Sequence, residues 1–521
     1  MAMTGIIPLV NIDKQCSIYK SEYRLIRLRN EQVLHHLHRR NNMQKKLFTA
    51  ILCAAAAVSA LFAGGGQDTA NAGGTPTLKW VTVGSGMPKN YNAWVQKVNE
   101  YIEPKIGAKV DVEVIGWGDW DTRRNIIITS NEPFDIIFGN DGTFLNDITI
   151  GALMDIRQYV DKAPALKKLI PAAYFKACTV NGKLYGIPTY KDSSMTQYFV
   201  WDKAMLDKYG ITDYEKINSL ADAYPVLEKI TQGEKKPSFP LYNAGVYQIF
   251  SLYDNIGLGS IGVGVRYDDK SGKVQNLFEA QDIRDQLAVI RKMYQNGIIN
   301  KDSFTAREVP APGTICGIAW GWPLAAKTIW GPQRNCEAVV SRFCPTILMN
   351  NTVQGSINSV SVNSKHPDKA IALLQLINTD TKLRDMFFFG EEGVNFKYVD
   401  VNGSKRIEKI NNDWTMAGYT QATFFNVSLL ASDTVDQWAE VKKLNDSASP
   451  SVMLGFQLDT SGFETELANC RQVYESNKAE LLTGARDPDA ALKDMIKQLK
   501  AAGIDKVIAE CQKQVNAFLK K

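Results

Sequence analysis

FDIIFGNDGTFLNDITIGALMDIRQYVDKAPALKKLIPAAYFKACTVNGKLYGIPTY, residues 134–190, decides the fold. The apolar run Phe134 to Phe138 predicts a buried strand, and Gly139-Asn140-Asp141-Gly142 a polar turn at its end. Helical pieces follow, then a Gly/Pro-rich stretch from Asn181 to Pro188. In open α/β sheets, polar turns at strand ends present the ligand-binding groups. A chain that leaves through the extended Gly186-Ile187-Pro188 is expected to pass into a second lobe.

Upstream, Leu78 to Val83 reads as an apolar strand. Met87-Pro88 opens a helix on which Tyr91, Trp94, Val98 and Tyr101 recur at helical spacing, with Pro104 and Gly107 expected to stop it. Val110, Val112 and Val114 alternate as a second strand, and a helix from about Asp121 leads to the strand at Phe134. Strand and helix in this alternation predict a parallel sheet with crossover helices.

Downstream, Thr196 to Val200 is strand-like, and helices are expected at Ser219 to Ile230 and Ala280 to Asn296. Thr314 to Trp330 reads as an apolar strand, a Gly/Pro turn and a helix from Pro323. Ile357 to Val362 alternates like a strand, and Pro367 opens a helix with Ile371, Leu374 and Ile377 on one face. Gly462 to Lys521 predicts two or three amphipathic helices, one striped by Leu492, Met495, Ile496 and Leu499. Gly257-Leu258-Gly259-Ser260-Ile261-Gly262 matches a dinucleotide-binding pattern, but Val263 to Tyr267 continues as a strand where that site needs a helix.

The N-terminus must be set apart before charge is weighed. Leu47 to Ala63 is an apolar run preceded by Lys45-Lys46 and followed by small residues, the pattern of a secretory signal. Cleavage after Ala63 and cleavage after Ala70-Asn71-Ala72 both fit, and Met43 is the expected start, with residues 1–42 read as translated upstream sequence. The first 72 residues hold nine Lys/Arg and four Asp/Glu, so a chain cut after Ala72 carries 51 of each sign and no net charge. That balance points away from nucleic acid and anionic membranes. One histidine, His366, is left, which deprives histidine-ligated metal sites and His-dependent triads of material. Neither a metal nor a cofactor is expected. Six cysteines remain, none in C-x-x-C spacing, and Cys316, Cys336 and Cys344 are near enough in sequence for one bridge among them. Cys53 lies inside the apolar run and Gly64-Gly65-Gly66 follows it, so a free periplasmic protein is expected, with a membrane-anchored lipoprotein as the alternative.

PFDIIFGNDG, GALMDIRQYVDK and VNGKLYGIP, then Trp201 to Gly210, HPDKA from His366, GEEGVNFKYVDVNG from Gly390 and the C-terminal helices, resemble in order and spacing the family 1 extracellular solute-binding proteins of ABC importers. The resemblance implies an α/β, two-lobed, hinge-connected periplasmic-binding fold with added C-terminal helices. It further implies a monomer that closes on a small solute, delivers it to the transmembrane subunits of an ABC permease and performs no catalysis. The expected first lobe is 76–190 with 345–400, the second 191–344 with 401–460, and the helical region 461–521; crossings near Pro188 to Thr196 and Pro345 to Gly355 are the expected hinges.

Ten tryptophans, all beyond the signal, suggest an aromatic-lined cleft and a carbohydrate ligand, because amphipathic rings suit the mixed C–H and O–H surface of a sugar. Candidate contacts are Trp117, Trp120, Asn140, Asp141, Tyr190, Trp201, Tyr242, Trp320, Trp322 and Asn358. For Trp117 and Trp120 packing on the lobe surface competes with the cleft, and for Trp320 packing beneath the sheet does. Amino acids and peptides stay open as ligands. So does an exported glycan lyase or hydrolase, for which Asp119, Asp121, Asp141, Glu391 and Glu392 are the available acids; adjacent Glu391 and Glu392 diverge and do not form a glycosidase pair. A structural envelope protein is the third reading.

Overall fold

The computed structural model describes residues 74–130 and 132–520; the expected start, signal and leader lie outside them. In chain order the principal elements are β1 (Thr77–Gly84), α1 (Tyr91–Ile106), β2 (Lys109–Gly116), α2 (Trp120–Thr129), β3 (Ile136–Gly139), β4 (Ile187–Pro188), β5 (Gln197–Asp202), α3 (Leu220–Glu234), β6 (Val263–Arg266), α4 (Gln281–Gln295), β7 (Cys316–Trp320), β8 (Ala338–Arg342), β9 (Ile357–Val360), α5 (Pro367–Thr379), α6 (Thr381–Phe389), α7 (Gln437–Ser447), α8 (Glu464–Leu482), α9 (Pro488–Ala501) and α10 (Ile504–Leu519).

The first lobe is built on a five-stranded sheet in the order β2-β1-β3-β9-β4. β1 runs parallel to both neighbours, Trp80 opposite Val112 and Ile136, as the alternation of strand and helix predicts. Every residue of β3 is buried, which is why its sequence is an unbroken apolar run and does not alternate. β9 enters antiparallel to β3. Trp94, Val98 and Ile102 turn α1 onto this sheet, and the Trp94 indole donates to Met386 O at 2.8 Å. Pro104 does not stop α1. It removes a single bond in the last turn, and the helix runs on to Ile106, where Gly107 in the left-handed region (φ 62°) caps it.

The second lobe centres on β5, flanked antiparallel by β7 and β8, with α3, α4 and β6 around it. The 257–262 glycines lead into β6, so the expected strand stands where a nucleotide site would need a helix. Helices α8 to α10 pack onto the second lobe. Leu467, Tyr474, Leu482, Met495, Leu499, Val507, Cys511 and Val515 are buried in the same cluster as Phe278 and Ile290 of the second lobe. Residues 401–460 are likewise divided: Met416 and Ala422 pack into the first core, Val441 into a small cluster with Tyr198 and Trp330 of the second lobe, and Leu454 returns to the first. Amphipathic pattern tells that a face is covered, not by which lobe.

Segments 188–196 and 345–355 connect the two cores, and residues 423–456 run between them again. Met195 and Ile347 exchange backbone hydrogen bonds of 2.6 and 2.9 Å, and Ile347-Leu348 pairs parallel with Ser449-Pro450. The hinge is therefore a three-stranded ribbon. The six cysteines among the described residues are free. Cys316 opens β7 opposite Trp201, whereas Cys344 follows β8 beside Gln197 on the other flank of β5, too far apart for a disulfide.

Candidate functional site

The parallel strands β1, β2 and β3 end at Gly84, Gly116 and Gly139, and the turns beyond them form one wall of the site. Trp117, half-buried, stands in the turn after β2 and stacks on Tyr419 with centroids 6.2 Å apart and planes 14° from parallel. Phe138 meets Tyr419 edge-on at 6.0 Å. Trp120 is buried behind them against Phe138, 5.6 Å away, so of the two indoles in this turn Trp117 is the more open. Asn140 uses its side-chain oxygen to accept from the Gly142 amide at 3.0 Å, shaping the turn that projects Asp141. Asp141 is solvent-exposed, yet desolvation by the surrounding protein raises its carboxyl pKa, against its own and the Gly142 amides.

Tyr419 belongs to a segment that had not been read as part of the site. Met416 bridges Gly84, where a Cβ would lie 2.3 Å from Thr415 O, so glycine at that strand end is what lets the segment approach. Buried polar groups hold it there. Arg384, wholly buried, donates from Nε to Thr423 O at 2.8 Å and from Nη2 to Gly418 O and Ala422 O at 2.6 and 3.0 Å. Burial pushes its guanidinium pKa down to about 9, an unusual position for an arginine, which here ties down the stretch from Gly418 to Thr423. Asn358 completes the tether, donating to Thr420 O and Gln421 O while accepting the Trp80 indole at 3.2 Å.

The second lobe supplies the remaining candidate rings. Trp320 ends β7 with 52% of its surface exposed, its indole donating to Ser194 O of the hinge at 3.1 Å. Tyr247 is 50% exposed, and burial of its surroundings, then the nearby Tyr242, raises its phenol pKa. Trp322 is turned inward, 9% exposed and 6.0 Å from Trp438, with no hydrogen-bond partner for its indole N–H. A Cβ at Gly321 would sit 2.8 Å from the Trp330 ring, so only glycine lets the two indoles straddle this turn. The walls meet at the hinge: Ser356 Oγ lies 2.9 Å from Thr189 Oγ1 and 2.8 Å from Tyr419 O, five residues before Ser194.

Three expected contacts are corrected. Trp201 is wholly buried at the centre of β5, its indole donating to Ser341 Oγ at 3.0 Å. Strands on both sides cover it, a neighbourhood invisible in a lone tryptophan. Asn358 is buried with all its polar atoms used by the tether. Tyr190 is a hinge residue: its ring packs edge-on between Tyr174 and Phe425, and its hydroxyl donates to Asp446 at 2.9 Å. Tyr419 and Tyr247 lie in no periodic stretch; only the fold brings Tyr419 to the end of β1, through the bridge of Met416 to Gly84, and leaves Tyr247 half exposed. Among the described residues no three His, Cys, Asp or Glu side chains are grouped to hold a metal.

Residues 93–389 match the family described as bacterial extracellular solute-binding protein, and residues 452–520 match a domain of unknown function (DUF3502). A carbohydrate ABC transporter substrate-binding protein of Streptococcus pneumoniae is 28% identical over 90% of this chain and 96% of its own length. The fold is similar to that of the N-glycan transport solute binding protein NgtS of Streptococcus pneumoniae, 26% identical over 86% of this chain and 99% of that one, with a TM-score of 0.75. Against the complexes of NgtS with Man1GlcNAc and Man5GlcNAc the TM-score is 0.63 and 0.60 at the same identity. With two α/β lobes joined by a ribbon, and a family match over more than half of the chain, the chain belongs to the bacterial extracellular solute-binding proteins.

Proposed function

We propose that this protein captures an oligosaccharide between its lobes and delivers it to the transmembrane subunits of an ABC importer, without altering the solute. The observation that carries the reading is the presence of aromatic rings in both lobes, half-buried Trp117 stacked on Tyr419 in the first and half-exposed Trp320 and Tyr247 in the second. Flat rings with a polar edge take up the C–H face of a sugar while neighbouring amides, carbonyls and Asp141 address its hydroxyls. The name of the pneumococcal relative and the glycans bound by NgtS support the same ligand class. Trp117, Tyr419, Asn140, Asp141, Tyr242, Tyr247 and Trp320 are the proposed contacts, with Trp120 supporting Trp117 from behind and the expected Trp322 set aside because it is packed in the second lobe. Export to the cell envelope follows the family; a free periplasmic protein is the proposed state.

Calorimetric titration with Man1GlcNAc, Man5GlcNAc, other oligosaccharides, amino acids and peptides tests this. Saturable binding of an oligosaccharide is expected, with no new reducing ends after prolonged incubation. Binding confined to amino acids or peptides would replace the ligand class, and turnover would overturn the binding role.

A further inference from the structure

Residues 452–520 match a family with no assigned function, and the place where they touch the rest of the second lobe gives them one. The turn carrying Tyr242 and Tyr247 is seated on the C-terminal end of α8. Gly245 has φ 59°, and a Cβ there would lie 2.4 Å from the Leu482 side chain and 2.5 Å from the Leu482 carbonyl carbon and oxygen. The next amide, Val246 N–H, donates to Leu482 O at 2.9 Å, and both residues are buried. That carbonyl is among those a helix end leaves without an intrahelical partner, so the turn caps the helix and the helix fixes the turn. The end of α8 is itself held: Arg291 Nη1 donates to Gly484 O at 2.8 Å and to Ala485 O at 3.0 Å. A second line of contact runs through rings, Phe250 edge-on to Phe278 at 5.8 Å and Phe278 to Tyr474 of α8 at 6.2 Å. On its other side the turn is tied to the second lobe through Leu241 N–H to Asn300 Oδ1 at 2.7 Å and Asn243 N–H to Ala306 O at 2.9 Å.

We propose that the C-terminal helices are a brace for the aromatic wall of the second lobe, with Gly245, Val246 and Leu482 as positioning residues that hold Tyr242 and Tyr247 in place for the solute. An exposed ring fixed before binding loses less freedom on contact than one on a loose turn, so the brace acts on affinity through preorganisation. The proposal rests on the reading of that wall as carbohydrate-binding, and its test has one arm that does not.

In the full chain, Gly245→Ala forces a side chain into the Leu482 contact. Hydrogen exchange across 241–250 is expected to speed up by about tenfold or more, while β1 to β3 stay protected. Affinity for Man5GlcNAc is expected to fall by roughly fivefold to tenfold, and Gly245→Ala with Tyr247→Ala to lose little more than Tyr247→Ala alone, the non-additivity of residues that act as a unit. Arg291→Gln, which releases the end of α8 without adding volume, should give a smaller change in the same direction and serves if Gly245→Ala fails to fold. Unaltered exchange at 241–250 overturns the brace. So does loosened exchange with undiminished affinity for a glycan that Tyr247→Ala weakens. If the unmodified chain binds no glycan, the carbohydrate reading fails and the exchange arm alone decides whether the brace exists.

Discussion

Trp201 and Trp320 are both tryptophans on the same three-stranded sheet, and the fold gives them opposite tasks. Trp201 in the central strand is fully buried, whereas Trp320 in the flanking strand is half open at the hinge. Trp201→Ala is expected to lower unfolding free energy by about 3–5 kcal/mol, as a large cavity opens and Ser341 loses its indole partner. Trp320→Ala should leave the melting temperature nearly unchanged and weaken oligosaccharide binding about tenfold, a loss of about 1.4 kcal/mol. Thermal unfolding and calorimetry on the two variants separate the roles; an unchanged affinity for Trp320→Ala would remove that indole from the site. The difference between them was beyond the sequence, because burial of a lone aromatic depends on what lies on both sides of its strand.

At the scale of the element, α6 shows how a helix start can couple local capping to the packing of a lobe. Asp380 is its N-cap, accepting the Leu383 amide at 3.0 Å, and it also meets Lys105 at 2.6 Å and the Tyr101 hydroxyl at 2.9 Å from α1. Burial alone would raise its pKa, but Lys105, the Leu383 amide and Tyr101 together hold it below the usual carboxylate range. The folded state therefore holds fewer protons than the unfolded chain as acid is added, and the stabilisation is complete above the ordinary carboxylate pKa and lost as pH falls through the lowered one. Asp380→Ala is expected to cost about 1–2 kcal/mol at neutral pH, and the gap should narrow on acidification. Denaturant melts of both proteins at several pH values measure it. A gap that widens in acid would contradict the assigned pairing. The same helix supplies Arg384, which anchors the Tyr419 segment, so α6 links the stability of the first lobe to the shape of its binding wall.

For the whole molecule, the decisive packing is that of α8 to α10 into the second core. Truncation after Ser461 is expected to strip the cover from Phe278, Leu287 and Ile290, abolish cooperative unfolding and produce a dye-binding or aggregated product. An independently attached region would instead leave a well-folded, ligand-binding remainder. Differential scanning calorimetry of the truncated chain distinguishes these. The connecting segments between the cores, joined as a ribbon at Met195, Ile347 and Ser449, make closure by rotation of the lobes the expected response to a ligand that touches both lobes.

Periodicity and turn chemistry alone determined the first three strands with their helices, the crossing after Pro188 and the amphipathic C-terminal helices, since these depend on residues near one another in the chain. The order of motifs pointed to the family. What only tertiary structure decided is membership: which core a covered helical face joins, which tryptophan is sealed between strands, and that Tyr419 arrives at the end of β1. Those outcomes are set by contacts between residues up to hundreds of positions apart, such as Trp80 with Asn358 and Thr82 with Thr420, and local pattern carries no record of them.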